Sequence, residues 1–202
     1  MVGTAVAICL YNHQGQKRLA TFVLCHLFAD KGHHHCDDDT AMSTNHPIVF
    51  ISKTSGKRRM FLVSSNSYQD REREIVKQAA LESYVNNFLP NDLLFWHTGQ
   101  PIGRIIKAEM VGSFLVEEAV ELPNRVILTR TPDGKDTHIT TVKAVWDLIE
   151  NNPDVYNAAS VGFGYQATDK RHGVYERIRK FETSVLPWEA AANAYTYVGV
   201  DH

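Results

Sequence analysis

Cysteine is scarce in this sequence, and the three cysteines it has, Cys9, Cys25 and Cys36, all lie in its first fifth. An odd number in that position argues against a disulfide framework for the rest of the chain and favours an intracellular setting. No apolar run approaches the roughly 20 residues of a membrane-spanning helix. A secretory signal is not expected either, because no positive charge precedes the apolar stretch 2–10 and no small-residue cleavage site follows it.

The chain also has no excess of positive charge. Its 21 Lys and Arg are balanced by 23 Asp and Glu, for a net charge of −2. A surface that binds nucleic acid or an anionic membrane normally carries a basic excess, so neither partner is expected. With 202 residues, of which 44% are hydrophobic and 10% aromatic, the chain is long enough for one soluble globular domain and an appendage.

Residues 1–46 differ from the rest in their clustered cysteines and lack of periodicity. Within them, the run His33-His34-His35-Cys36-Asp37-Asp38-Asp39 contains the side chains that bind transition metals. Contiguous side chains rarely converge on one ion, and the spaced pairs of a structural zinc site are absent, so no metal site is expected. We interpret residues 1–46 as an N-terminal extension, disordered or not native, with Met42 as an alternative start. Residues 47–202 would form the main domain.

From residue 48 onward the pattern is mostly that of short strands. Two segments have helical periodicity instead: one follows Asp70 and ends at Pro90, and one is capped by Thr140 or Thr141 and ends before Pro153. Turns are expected at 99–103 and 132–134. This mixture predicts an α+β domain, a small barrel flanked by helices. The predicted strands are 48–52, 60–64, 93–97, 103–110, 112–120, 125–129, 158–166, 173–180 and 181–186.

Three of these strands carry one chemically competent residue each. Ser160 shares a face with Gly162 and Gly164, which leaves room for a carbonyl group to approach its hydroxyl. His97 is expected at a strand end, where a site can open to solvent. Glu182 lies opposite the apolar face of its strand, where it would either be exposed or orient an imidazole. A serine nucleophile needs a base of this kind and benefits from such an acid.

Other residues compete for these roles. His138, in Thr137-His138-Ile139-Thr140, superficially resembles the histidine-x-threonine signature of two-histidine phosphoesterases, although His97-Thr98-Gly99 does not complete that pattern. We expect His138 in the approach to the second helix. The remaining candidate acids have no equally good partner in the sequence; they are Glu117, Glu118, Asp147 and Glu189.

Four motifs occur in an order that resembles the prohead (procapsid maturation) serine proteases of tailed phages. An aspartate-containing turn follows an opening strand at 64–76, and His97 shortly precedes Pro101-Ile102-Gly103-Arg104. Then come Ser160-Val161-Gly162-Phe163 and a strand with Glu182 before a proline and alanines, at 182–192. The match covers about residues 60–195. In this chain Trp96-His97-Thr98 lacks the aspartate that the family often has next to the histidine, and Arg73 stands where glycine is common.

The resemblance implies a fold like that of the herpesvirus assembly protease, a mostly antiparallel barrel flanked by helices. It implies a serine endopeptidase in which Ser160 attacks, His97 shuttles the proton and Glu182 orients His97, with the loop 187–193 supplying oxyanion donors. No cofactor or metal is required. The substrates would be the phage major capsid protein and scaffold, cut in the host cytoplasm inside the assembling procapsid, with self-association possible. The alternatives are an inactive scaffold protein with the same fold and a two-histidine phosphoesterase using His97 and His138.

Overall fold

The computed structural model describes residues 6–11, 17–22 and 58–200. The chain divides into two compact units between Ile48 and Val49. In the first unit, β1 (Val6–Tyr11) and β2 (Lys17–Phe22) pair as an antiparallel hairpin. The predicted metal-like run at 33–39, the alternative start Met42 and the predicted strand 48–52 lie outside the described residues.

In its described part the second unit holds twelve strands, two α-helices and two short 3-10 turns. The helices are α1 (Gln78–Asn86) and α2 (Val142–Asn151), and the 3-10 turns span Ala167–Asp169 and Trp188–Ala190. The strands are β3 (Arg59–Asn66), β4 (Ile75–Val76), β5 (Asn91–Phe95), β6 (Thr98–Val111), β7 (Phe114–Glu121), β8 (Val126–Arg130), β9 (Thr137–Thr141), β10 (Ala158–Gly164), β11 (Lys170–Arg171), β12 (Val174–Tyr175), β13 (Arg179–Leu186) and β14 (Tyr197–Val200).

Seven of these strands form one sheet in the order β10-β13-β5-β6-β7-β3-β14. All its neighbours are antiparallel except β13 and β5, which run parallel. The sheet curls into a half-barrel. The second unit consists mostly of strands with two helices, so the α+β prediction is confirmed. The edge strands of the sheet, β10 and β14, are not paired as neighbouring strands, but two hydrogen bonds join them at one end. Val198 N–H donates to Asn157 O at 3.0 Å, and Ala159 N–H donates to Thr196 Oγ1 at 3.3 Å.

The core lies inside the curl and is closed by α2. Val142, Val145 and Trp146 recur at helical spacing on one face of α2 and are all buried against the sheet. The Trp146 indole N–H donates to Ile102 O on β6 at 2.9 Å, which satisfies its polar end inside the core. The hydroxyl of Thr141 accepts from Ala144 N–H, so the predicted helix cap is confirmed. Neither helix in the described residues is long and apolar enough to cross a membrane.

Two small sheets complete the second unit, one of β8 and β9 and one of β11, β12 and β4. His138 lies on β9, paired with Thr129 of β8. Because β9 ends where α2 begins, His138 is in the approach to the second helix as predicted, but that approach is a strand, which was not predicted. Helix α1 is shorter than its pattern predicts because Ile75 and Val76 pair with β12 as a strand. Both differences come from pairing with residues distant in the sequence, which local periodicity does not reveal.

Candidate active site

His97 lies in the two-residue turn between β5 and β6. Phe95 pairs with Thr98, and the residues between them, Trp96 and His97, have φ values of 57° and 52°. The turn predicted at 99–103 is therefore misplaced, because β6 already begins at Thr98. A tight hairpin of this kind requires left-handed backbone, for which Asn and Gly are the usual residues. Large side chains persist there only when surrounding contacts hold them.

Strand β13 supplies the contacts that hold this turn. Trp96 N–H donates to Val185 O at 3.1 Å, and His97 N–H donates to the hydroxyl oxygen of Ser184 at 2.9 Å. On the other side of the turn the Trp96 ring lies close to Gly134, where an added Cβ would come within 2.9 Å of it. The strand that carries the acid thus also fixes the backbone of the histidine.

Glu182 is a buried carboxylate on β13, only 5% exposed, and both its oxygens are engaged. Oε1 lies 2.7 Å from His97 Nδ1, and Oε2 accepts from the hydroxyl of Ser184 at 2.8 Å. An ionised carboxylate can only accept, so Nδ1 of His97 carries the proton and Nε2 of the neutral ring is left as the acceptor. This is the arrangement of a histidine base with its orienting acid. Of the two environments that the sequence allows for Glu182, the structure has the buried one.

Ser160 lies on β10, next to the strand that carries Glu182. It pairs directly with Ser184, and Gly162 pairs with Glu182. Residues opposite one another in an antiparallel pair project to the same face and lie about 5.5 Å apart at most. Ser160 and Glu182 therefore share a face, and Ser184 is hydrogen-bonded to both Glu182 and the His97 backbone. The described residues include no hydrogen bond between Ser160 and His97.

A cleft of about 810 Å³ lies against this face, and Ser160, His97 and Glu182 all line it. Its opposite wall comes from the end of β3 and the turn that follows. The cleft also contains aromatic side chains, of which Tyr165 and Phe181 are strongly exposed. The three residues that the sequence analysis selected thus border one cavity large enough for a peptide segment.

The loop after β13 forms another part of the cleft and is held by Arg71. The Arg71 backbone N–H donates to Ala192 O at 2.9 Å, and its guanidinium donates to Trp188 O at 2.7 Å and Ala191 O at 3.0 Å. The guanidinium also stacks on Trp188, 3.8 Å from the ring centroid. In a trans peptide the N–H points opposite to the C=O, so the N–H groups of Ala192 and Asn193 point away from Arg71.

A buried ion pair lies behind the site. Glu117 on β7 and Lys180 on β13 are fully enclosed, with 2.9 Å between Lys180 Nζ and Glu117 Oε1. Tyr84 and Thr183 each donate a hydroxyl to Glu117 at 2.7 Å. Burial lowers the pKa of Lys180, and the neighbouring Glu117 opposes that shift. The sequence pattern indicated no partner for Glu117, because its partners come from two distant elements, Tyr84 from α1 and Lys180 and Thr183 from β13.

The other candidates from the sequence lie outside the cleft. His138 does not line it, and the Nδ1 atom of His138 is buried with no hydrogen-bond partner in the part of the chain that the structure describes. Asp147 pairs with Arg58 and Lys143, Glu118 pairs with Arg59, and Glu189 is exposed. Ser184 is the residue that sequence reasoning missed. Its position two residues after Glu182, on the same face of the strand, is the signal that could have found it.

No family model, curated protein or solved structure matches this chain. The resemblance to the phage proteases therefore rests on the four motifs quoted above.

Proposed function

We propose that this protein is a serine endopeptidase with Ser160 as nucleophile, His97 as general base and Glu182 as orienting acid. The observation that carries the proposal is the buried Glu182 carboxylate, 2.7 Å from His97 Nδ1, in the cleft that Ser160 also lines. A buried acid bonded to a half-exposed histidine beside a serine with small neighbours is typical of a catalytic triad. We infer a fold of the herpesvirus assembly-protease type from the same motifs.

The chemistry follows from these positions. As Ser160 Oγ bonds to the scissile carbonyl carbon, its proton moves to His97 Nε2, and Glu182 stabilises the resulting imidazolium. The imidazolium then gives that proton to the leaving amine as the C–N bond breaks, which leaves an acyl-enzyme. Water, activated by His97, releases the acid product and restores the serine. The N–H groups of Ala192 and Asn193 have no hydrogen-bond partner within residues 58–200 and are suitable donors to the oxyanion.

The edge of β10 next to Ser160 borders the cleft and suits an extended peptide substrate. Asn157 O and Ala159 N–H point away from β13, since they bond to Val198 and Thr196. By strand alternation the N–H and C=O of Val161 and Phe163 point the same way. These groups have no hydrogen-bond partner among the described residues. Pairing along this edge would place a substrate backbone beside Ser160.

The resemblance supplies the proposed biology. The substrates would be capsid and scaffold segments of an assembling phage procapsid in the host cytoplasm, and copies of the enzyme could self-associate there. The triad needs no metal or cofactor. The rival from another class is an inactive scaffold protein with the same fold. The phosphoesterase alternative is less favoured because His138 lies on β9 and does not line the cleft with His97.

Active-site labelling tests the proposal. A fluorophosphonate probe should modify the wild-type protein at Ser160, and His97→Ala should abolish labelling because the hydroxyl then lacks its base. Ser160→Ala should remove the label, whereas Ser83→Ala, on the exposed surface of α1, should keep it. A folded wild type that shows no labelling would favour the inactive scaffold. A protein that instead hydrolyses a cyclic phosphodiester in a His138-dependent way would be the phosphoesterase.

A further inference from the structure

The side-chain amide of Asn193 has one end fixed and the other end free. Its Oδ1 accepts from Tyr195 N–H at 3.0 Å and from Asn66 Nδ2 at 2.8 Å. A backbone N–H can only donate, so the bond from Tyr195 identifies the oxygen end of the amide. The two Nδ2 hydrogens have no hydrogen-bond partner among the described residues. Asn193 is half-buried and lines the same cleft as Ser160.

The residue behind Asn193 locks its orientation. Asn66 is only 1% exposed, and its Oδ1 accepts from Tyr68 N–H at 2.9 Å. Asn66 must therefore present its Nδ2 to Asn193. The Arg71 contacts described above hold the preceding carbonyl groups of the same loop. A donor whose position is set before substrate arrives requires no reorganisation during reaction.

We propose that Nδ2 of Asn193 donates a hydrogen bond to the oxyanion formed when Ser160 attacks the substrate. The inference rests on the proposed protease function and adds a side-chain donor to the backbone N–H groups. As the Oγ–C bond forms, the π electron pair of the carbonyl moves onto its oxygen, and the hydroxyl proton goes to His97. The oxygen gains negative charge only at this stage, so the hydrogen bond from Asn193 is stronger in the transition state than in the substrate complex. Asn193 should therefore affect kcat rather than KM.

Two substitutions separate this role from a merely structural one. Asn193→Asp keeps an oxygen to accept from Tyr195 N–H and Asn66 but has no donor, whereas Asn193→Ala loses both. The burst of p-nitrophenol from a p-nitrophenyl ester gives the acylation rate, and steady-state hydrolysis gives kcat and KM. Both variants should lose on the order of 10²- to 10³-fold in kcat with KM within about threefold, the effect of removing one oxyanion donor. The thermal melt of Asn193→Asp should stay near that of wild type.

Several outcomes would overturn the assignment. If Asn193 only holds the loop, Asn193→Asp should retain the activity that Asn193→Ala loses. A rise in KM at constant kcat would make it a ground-state binding residue instead. Asn86→Asp, on the exposed end of α1, is the matched control and should acylate like wild type. A wild type that forms no acyl-enzyme would overturn both proposals, whereas rapid acylation by both wild type and Asn193→Asp would overturn the Asn193 role alone.

Discussion

The carboxylate of Glu182 lies directly over the backbone of Gly162. A Cβ built on Gly162 would come within 2.0 Å of Glu182 Oε1, the oxygen that bonds to His97. Gly162→Ala should therefore displace Glu182 and cost on the order of 10²- to 10⁴-fold in kcat, approaching the loss of the acid itself. Overpacking should also lower the free energy of unfolding by about 1–3 kcal/mol. Ester hydrolysis and chemical denaturation measure the two effects.

Gly164→Ala is the matched control on the same strand. Nothing lies within 4 Å of a Cβ built there, so activity and stability should stay near wild type. If both substitutions lowered activity and stability equally, the cause would be alanine anywhere in β10, and not a clash between Glu182 and a side chain at position 162.

Substitutions of the three residues of the proposed triad should reduce activity by unequal amounts, and their effects should be strongly non-additive. Ser160→Ala and His97→Ala should reduce peptide cleavage to background. Glu182→Gln should cost somewhat less, with losses on the order of 10⁴-fold, because it keeps the shape but removes the charge that stabilises imidazolium. Cleavage of a phage structural-protein substrate by purified variants measures this. Double mutants whose losses multiply would indicate that the residues act independently.

Arg73 occupies a backbone conformation that favours glycine. Its φ is 65°, in the turn where its N–H donates to Asp70 O at 3.1 Å. Arg73→Gly should raise the free energy of unfolding by up to about 1 kcal/mol, because the left-handed penalty of a side chain disappears. Arg73→Ala keeps that penalty and should give no gain. Urea denaturation of both variants shows whether the change in the free energy of unfolding comes from the backbone conformation or from loss of the arginine side chain.

Replacing one member of the buried Glu117–Lys180 pair should lower the free energy of unfolding far more than replacing both. Lys180→Met leaves a buried carboxylate without its cation and should cost about 3–5 kcal/mol of unfolding free energy. The double variant Lys180→Met with Glu117→Gln leaves no charge and should recover most of that loss. A double-mutant cycle by guanidinium denaturation measures the coupling. A double variant as unstable as the two single losses added together would contradict the argument.

The second helix could be predicted from sequence because its signals are local. Thr141 caps its first turn, and the buried stripe of Val142, Val145 and Trp146 repeats within ten residues. Strand β14 was missed because its four residues form a strand only by pairing with Met60–Val63 of β3, far back in the chain. The same limit explains the shortened first helix.

Ser160, His97 and Glu182 were selected from the sequence and line one cleft, but the contacts that hold them there could not be predicted. His97 and Glu182 are separated by 85 positions, so no local pattern distinguishes a buried, bonded Glu182 from an exposed one. The turn at Trp96-His97 contains no glycine, and the Gly99 and Gly103 that suggested a turn lie inside β6. Gly99 serves another purpose there, because an added Cβ would strike Leu128 O at 2.1 Å.

The histidine lies on the shortest loop that can join two antiparallel strands, and this makes loop length part of the chemistry. Inserting one residue would convert the turn to another class and change its backbone angles. If the strands slipped by one residue to compensate, their side chains would exchange faces. In related sequences, point changes around His97 should therefore be common and length changes between β5 and β6 rare. A constant number of residues between the end of β5 and the start of β6 is a feature that can be searched for in sequences alone.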